Sequence, residues 1–173
     1  MPEDSASRVL FVGRFQPLHL GHLHMLKALA DDFDEVVLIL GSSQASHTAK
    51  NPFSLEERTR MIRETLLAEG VERVRIVPVR DVGVHSVWLR DLLALAPPFE
   101  AVVSHDPLTR RLFQEAGHPI LDRPLVDREV LSGSAIRRRI RAGEEWEELV
   151  PSTVRTIIRE IDGVDRIRSL GDQ

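Results

Sequence analysis

One stretch decides how this chain folds: Val12-Gly13-Arg14-Phe15-Gln16-Pro17-Leu18-His19-Leu20-Gly21-His22. It follows a short apolar run, Val9 to Val12, and precedes a segment in which Leu23, Leu26 and Ala30 repeat with helical spacing. The pattern predicts a turn that leads from a buried strand into a helix. Such a turn aims backbone N–H groups and the positive end of a helix dipole at one point, where an anion is the natural ligand.

The composition of the chain is typical of a soluble globular protein, with 42% hydrophobic and 29% charged residues. Its 173 residues predict a single domain over 1–173 with a core of ordinary size. The absence of cysteine excludes disulfides and thiolate metal sites. No apolar run is long enough to cross a bilayer, and residues 1–7 lack the apolar core of a signal peptide, so we expect a cytoplasmic protein without a membrane partner.

The charge balance argues against broad nucleic-acid binding. Lys and Arg total 23 against 27 Asp and Glu, a net charge of −4, whereas non-specific nucleic-acid binders usually carry a basic surplus. Arginine is nevertheless concentrated in one place, Arg137-Arg138-Arg139 with Arg141 close behind. A local basic pocket for a small anionic ligand is compatible with this pattern.

Apolar runs of strand length alternate with segments of helical periodicity along most of the chain. The predicted strands are Arg8–Val12, Glu35–Leu40, Arg73–Val79, Phe99–Ser104 and a short fifth near Pro119–Leu121. The predicted helices cover about 21–30, 54–69, 86–96, 106–117, 134–142, 145–149 and 152–161, and we expect residues 1–7 and 163–173 to be loose. The alternation predicts an α/β fold, a Rossmann-like doubly wound parallel five-stranded sheet with helices on both faces and a helical C-terminal segment.

Two helix starts have specific capping signals. Ser54 and Glu57 have the spacing of a capping box, and Asp106 followed by Pro107 reads as an N-cap with proline at the first helical position.

Ligands of open α/β sheets bind beyond the carboxyl ends of the strands. Four polar loops are predicted at that edge, residues 13–22, 41–53, 80–86 and 104–107. We expect these loops to gather Arg14, His19, His22, Lys50 and the arginine cluster around one crevice. Several cationic and hydrogen-bond-donating groups around one point favour a polyphosphate ligand.

The opening turn matches neither the dinucleotide fingerprint nor the P-loop signature. It contains H-x-G-H instead, in which two imidazoles can donate hydrogen bonds to phosphate oxygens. Nucleotidyl transfer requires mainly positioning and stabilisation of charge, which such a turn can supply. Taken alone, however, the histidines also fit a surface or capping role or a metal site, and the arginine run fits a solvated helix face.

Two segments together carry a more specific resemblance. The opening stretch, with H-x-G-H, and Leu131-Ser132-Gly133-Ser134-Ala135-Ile136-Arg137 resemble the nucleotidyltransferase superfamily, whose second motif is S-x-T-x-x-R and here has serine at the threonine position. Within it, the chain is similar to the archaeal-type nicotinamide-nucleotide adenylyltransferases from about Arg8 to Leu170. Further matching segments are residues 41–48, 51–53, 78–81, 87–88, 106–108, 111–113 and 146–151.

The resemblance implies a reaction of ATP with nicotinamide mononucleotide that gives NAD and pyrophosphate. His19, His22, Arg14 and Arg137 would be catalytic, with His22 on the α-phosphate and the arginines on the polyphosphate. Further ATP contacts would come from Gly13, Phe15, Gly21, Lys50, Ser132, Ser134 and Arg138. Mg²⁺ would be held through the ATP phosphates rather than by protein side chains.

The resemblance also implies an acceptor site and an assembly. Trp88 would stack on the nicotinamide ring, with Asp81, Ser42 and Gln44 in the same pocket, although Trp88 alone also fits a core aromatic. A homohexamer is implied by the resemblance only. Neither nicotinamide nor nicotinic acid mononucleotide is favoured by the sequence.

Three positions depart from the family pattern. Ser134 stands where threonine is usual and keeps the hydroxyl, while Lys50 replaces an expected arginine and keeps the charge without the bidentate fork. Asp106 replaces an expected asparagine and also fits its N-cap role.

Two rival functions remain: transfer to another acceptor, such as phosphopantetheine or flavin mononucleotide, and a nucleotide sensor without catalysis.

Overall fold

The computed structural model describes residues 5–171, in which four strands and seven α-helices are found. The strands are β1 (Arg8–Gly13), β2 (Glu35–Leu40), β3 (Val74–Pro78) and β4 (Ala101–Val103). The helices are α1 (Leu20–Asp32), α2 (Leu55–Ala68), α3 (His85–Leu95), α4 (Pro107–Glu115), α5 (Gly133–Ala142), α6 (Ser152–Glu160) and α7 (Gly163–Leu170). A 3-10 turn at Glu147–Leu149 replaces the helix predicted over 145–149.

The strands form one parallel sheet in the order β3-β2-β1-β4. β1 is central, since Phe11 pairs with Leu38 of β2 on one side and with Val103 of β4 on the other. All four carboxyl ends therefore lie at one edge of the sheet. The predicted parallel α/β sheet with helices on both sides is confirmed.

The sheet has four strands within residues 5–171, so the prediction of a fifth strand near Pro119–Leu121 is wrong. Here the chain makes a single parallel bridge, between Val102 and Ile120. The Val102 N–H donates to the Pro119 carbonyl (3.0 Å), and the Leu121 N–H donates to the Val102 carbonyl (2.8 Å). The apolar run is too short to continue the ladder, and proline at its start has no N–H to donate.

The described residues fall into two compact units. The first comprises residues 5–14, 26–43 and 72–124 and contains the sheet. Its core packs one face of the sheet against α3 and α4 through Leu10, Val37, Ile39, Val77, Val79, Leu89, Leu92, Val102 and Phe113. The side chains that point to the other face, such as Val9, Phe11 and Leu38, are also buried. Because both faces of the sheet are covered, β1 and β2 are apolar after their first residues, Arg8 and Glu35.

The second unit comprises residues 15–25, 44–71 and 125–171. Its helix α2 begins with the predicted capping box, in which the Ser54 hydroxyl accepts from the Glu57 N–H and the Glu57 carboxylate accepts from the Ser54 N–H. α2 packs against α6, where the hydroxyls of Thr65 and Thr153 lie 2.6 Å apart. In the first unit, Asp106 and Pro107 begin α4 as predicted.

The ends of the described chain are more ordered than the sequence predicts. Residues 163–170 form α7, whose Ile167 is buried, so the expected loose tail is wrong there. Asp162 takes a left-handed conformation (φ 54°) that separates α6 from α7, where the sequence suggested only a helix stop. Ser7 is held by Asp34, which accepts from its N–H (2.8 Å) and its hydroxyl (3.1 Å). Residues 1–4 and 172–173 lie outside the described part, and the single domain over 1–173 stays a prediction.

Candidate active site

The two histidines of H-x-G-H hold each other at the start of α1. The His19 N–H donates to Nδ1 of His22 (3.1 Å), and the His22 N–H donates to Nδ1 of His19 (3.3 Å). Their rings stack with centroids 3.6 Å apart. Because an Nδ1 that accepts carries no proton, each neutral ring has its proton on Nε2. Both imidazoles are therefore hydrogen-bond donors at Nε2.

Gly21 makes room for this pair. A Cβ atom at position 21 would lie 2.9 Å from Cε1 and 3.0 Å from Nδ1 of His19. Real Cβ atoms essentially never approach so closely, and the His19 ring is buried with only 1% of the residue exposed. The glycine is required because the His19 ring lies directly over its backbone, rather than for its conformational freedom.

Arg137 lies beside the same turn. Its Nη1 donates to the Gln16 carbonyl oxygen (2.7 Å), and its Nη2 lies 3.5 Å from the Ser134 hydroxyl. Gly133 leaves space for this contact, since a Cβ there would meet Arg137 Nη1 at 2.7 Å and the Gln16 carbonyl at 3.2 Å. The guanidinium is therefore fixed against the backbone of the turn, with 6% of the residue exposed.

The two motifs that carry the resemblance thus meet in the second unit. Besides the Arg137 contact, Leu131 approaches Gly21, with its Cβ 3.5 Å from the position of a Cβ on the glycine. The Ser132 hydroxyl caps α5 by accepting from the Ala135 N–H (3.1 Å). Paired imidazole donors, a buried guanidinium and the starts of α1 and α5 form an environment suited to phosphate oxygens.

The remaining predicted phosphate ligands of the second unit differ in setting. Phe15 is buried, has a positive φ of 55° and packs its ring 4.5 Å from that of His22. Lys50, Ser134 and Arg138 are exposed. The predicted arginine cluster therefore divides, because Arg137 is buried on α5 whereas Arg138 faces solvent.

Gly13, Arg14 and Ser42 follow the ends of β1 and β2 in the first unit. The Gly13 carbonyl accepts from the Gly41 N–H (2.8 Å), which holds the two strand ends together. Arg14 is exposed, and Ser42 is buried with a positive φ of 48°.

Three residues were predicted for the acceptor besides Ser42. Trp88 lies on α3, half-buried against the core of the first unit, with its ring nearly perpendicular to that of Phe113 and the two centroids 6.4 Å apart. Asp81 is exposed in the loop between β3 and α3. Gln44 is exposed in the second unit. Trp88 thus combines core packing with an accessible part of its surface.

Asp106 has the structural role that the sequence offered as its alternative. Its Oδ2 accepts from the Thr109 N–H (2.9 Å) and from the Thr109 hydroxyl (2.8 Å) at the start of α4. These bonds explain the aspartate as a helix cap.

Sequence reasoning missed Gln16 and Gly133. The side chain of Gln16 is buried and bonds to Phe53, which lies 37 positions further along the chain. A contact between such distant residues leaves no signal in a single sequence. Gly133 stands between two serines at a predicted helix start, which is the one feature of the sequence that could have drawn attention to it. That glycine is required there follows only from its close approach to Arg137.

The chain is similar to known proteins along most of its length. Residues 10–139 match the cytidylyltransferase-like family model. The chain is 45% identical over 163 residues to the nicotinamide-nucleotide adenylyltransferase of Methanolobus tindarius, with 94% of each chain covered. It is 43% identical over 170 residues to that of Thermoplasma volcanium, with 98% of this chain and 96% of the relative covered.

A solved structure shares the fold. It is a bifunctional NMN adenylyltransferase/ADP ribose pyrophosphatase from Francisella tularensis complexed with AMP and a manganese ion, and it matches with a TM-score of 0.75 at 23% identity. The match covers 95% of this chain and 52% of that one, so the chain spans about half its length. Since the sequence relatives align along almost the whole chain, this protein belongs to the nicotinamide-nucleotide adenylyltransferases, within the cytidylyltransferase-like family.

Proposed function

We propose that this chain transfers the adenylyl group of ATP to nicotinamide mononucleotide, giving NAD and pyrophosphate. The observation that carries the proposal is the reciprocal bonding of His19 and His22, which makes both rings Nε2 donors beside the buried Arg137. Donors of this kind stabilise the negative charge that nucleotidyl transfer develops on the phosphate oxygens. The names of the relatives support nicotinamide mononucleotide as the acceptor.

The reaction is an in-line displacement without a covalent enzyme intermediate. A 5′-phosphate oxygen of the mononucleotide forms a bond to the α-phosphorus of ATP, and the bond from that phosphorus to the bridging oxygen of pyrophosphate breaks. His22 donates a hydrogen bond to the α-phosphate, and His19 donates a second hydrogen bond to the phosphates. Arg14 and Arg137 hold the polyphosphate and the leaving pyrophosphate through charge.

Other residues are assigned to substrate binding. The ATP contacts are assigned to Gly13, Phe15, Gly21, Lys50, Ser132, Ser134 and Arg138. Trp88 stacks on the nicotinamide ring through its accessible surface, and Asp81, Ser42 and Gln44 line the acceptor site. Gly21 contributes by leaving space for the His19 ring.

The divalent cation enters as part of the substrate. Within residues 5–171, no group of three or more His, Asp or Glu side chains could hold a metal ion. We assign Mg²⁺ to the phosphates of ATP, as the family resemblance implies. Manganese accompanies AMP in the Francisella structure, which supports the use of a divalent metal in this fold.

Location and assembly are part of the same proposal. None of the helices in the described part of the chain is long and apolar enough to cross a membrane. We assign the enzyme to the cytoplasm and expect a homohexamer, which light scattering on the purified protein would test.

A comparison of acceptors tests the proposed function. The protein is incubated with ATP and Mg²⁺ together with nicotinamide mononucleotide, nicotinic acid mononucleotide, phosphopantetheine or flavin mononucleotide, and pyrophosphate release is measured. We expect release with one or both of the pyridine mononucleotides. Faster release with phosphopantetheine or flavin mononucleotide would replace the acceptor, and tight ATP binding without any release would favour the sensor.

A further inference from the structure

The side chain of Gln16 joins the turn that carries His19 and His22 to the backbone of Phe53, two residues before the start of α2. Its Nε2 donates to the Phe53 carbonyl (2.9 Å), and its Oε1 accepts from the Phe53 N–H (2.9 Å). Only 2% of Gln16 is exposed. Both polar atoms of the amide are thus engaged with the backbone of one residue, and the side chain is not placed to bind a substrate.

The backbone of Gln16 makes the second connection. Its carbonyl accepts from Arg137 Nη1 (2.7 Å), so the same residue links the turn to α5. Gln16 therefore fixes the turn at two points, three residues before His19. Phe15, its neighbour, packs against the ring of His22.

Phe53 is a buried, closely packed anchor for this link. Its side chain is fully buried, and a Cβ on Gly163 would lie 3.1 Å from its ring. On one side of it, the Pro52 carbonyl accepts from Arg166 Nη1 (3.1 Å). On the other, Ser54 begins α2 through the capping box with Glu57.

Arg166 of α7 reinforces the anchor from the C-terminal end of the chain. Its two terminal nitrogens contact the two carboxylate oxygens of Glu57 at 2.6 and 2.9 Å. Bidentate pairs of this kind are geometrically specific. The anchor at residues 52–57 therefore has support independent of Gln16, and loss of the Gln16 amide would release the turn rather than the anchor.

We propose that Gln16 is a positioning residue for adenylyl transfer, which holds the His19–His22 pair and Arg137 in their reactive arrangement through its link to Phe53. This inference rests on the proposed function. Displacement of catalytic groups by about 1 Å can cost on the order of 100-fold in rate, so a link of two hydrogen bonds is enough to matter. Because both polar atoms of the Gln16 side chain are bonded to Phe53 and not to substrate, its loss lowers kcat more than it raises KM.

Gln16→Met tests the inference, since methionine has a similar length and makes neither hydrogen bond. Thr65→Val is the matched control, because it removes one part-buried hydrogen bond of a buried residue in the same unit, between α2 and α6. kcat and KM are measured at a temperature where circular dichroism shows each variant folded. Hydrogen exchange of the amides of residues 16–23 is measured in parallel.

We expect Gln16→Met to lower kcat at least about 10-fold relative to Thr65→Val, with both KM values within about threefold of wild type. We also expect faster amide exchange in residues 16–23 than in the control. A kcat equal to that of Thr65→Val would overturn the inference, whatever the exchange rates are. If Gln16→Met fails to fold, Gln16→Asn, whose amide is one methylene too short to make both bonds, is judged by the same two readouts.

The two proposals fail differently. Absence of NAD formation by the wild-type protein would refute the proposed function, whereas an active wild type and an equally active Gln16→Met would refute the positioning role alone.

Discussion

Gly21→Ala separates catalysis from stability in this protein. The new Cβ would lie 2.9 Å from Cε1 of His19, whereas ordinary contact begins at 3.4 Å. The buried ring must therefore retreat by about 0.5 Å, because dispersion contacts turn repulsive at shorter range. This movement breaks the 3.3 Å bond from the His22 N–H to His19 Nδ1 and disturbs the ring stack.

The effect on stability is modest, whereas the effect on activity is large. Alanine in place of glycine within a helix stabilises by about 1 kcal/mol. Loss of one hydrogen bond costs about 1 kcal/mol, and crowding of the buried ring costs about 1 to 3 kcal/mol. We therefore expect the free energy of unfolding to fall by about 1 to 3 kcal/mol, which leaves the protein folded in the absence of urea. kcat is expected to fall on the order of 10-fold or more, because a catalytic ring is misplaced.

The assay is pyrophosphate release under saturating substrates, with urea unfolding of the same preparations. His24→Ala is the control, since His24 is an exposed histidine of the same helix, and it should leave kcat within about twofold of wild type. A Gly21→Ala variant with full activity would refute the role assigned to the His19–His22 geometry. A loss of activity matched by general unfolding would refute it as well.

Three further predictions address single residues. His22→Ala is expected to lower kcat by about 100-fold or more while ATP binding, measured by calorimetry, is largely retained, because one donor to the transition state is lost; near-normal kcat would remove that role. Trp88→Ala should raise KM for nicotinamide mononucleotide about 10-fold through lost stacking, and an unchanged KM would make Trp88 a packing residue. Burial raises the pKa of Glu57, but hydrogen bonds from Arg166 and Ser54 outweigh burial and hold it below its usual value. The stability that this shift provides is present above the unfolded pKa of about 4.3 and is lost as pH falls through the folded pKa. Glu57→Gln should therefore show a smaller drop in Tm between about pH 5 and pH 3 than wild type. Equal drops in the two proteins would contradict the assignment.

The sequence predicted the features that depend on local pattern. Continuous apolar runs identified β1 and β2, which are buried on both faces. Ser54 and Asp106 marked helix starts because side-chain capping is a contact between near neighbours in the chain. The apolar run that ends at Val12 and the helical spacing that begins at Leu23 predicted the turn between them, because both patterns are local.

What the sequence could not predict depends on contacts between distant residues. The apolar run near Pro119 had the composition of a strand, but it pairs with the sheet through a single bridge, between Ile120 and Val102. Nothing in the sequence after Gly163 indicated that the tail is buried, yet Arg166 pairs with Glu57 and the side chain of Ile167 is buried. In the arginine run, only the fold distinguished buried Arg137 from exposed Arg138.

The central claim is adenylyl transfer from ATP to nicotinamide mononucleotide, and following the labelled phosphorus of ATP into NAD tests it most directly. Wild-type protein is incubated with nicotinamide mononucleotide, Mg²⁺ and ATP labelled at the α- or the γ-phosphorus. Adenylyl transfer predicts that the α-label appears in NAD and the γ-label in pyrophosphate, in equal amounts. Label from the γ-position in the nucleotide product, or no labelled NAD at all, would contradict it.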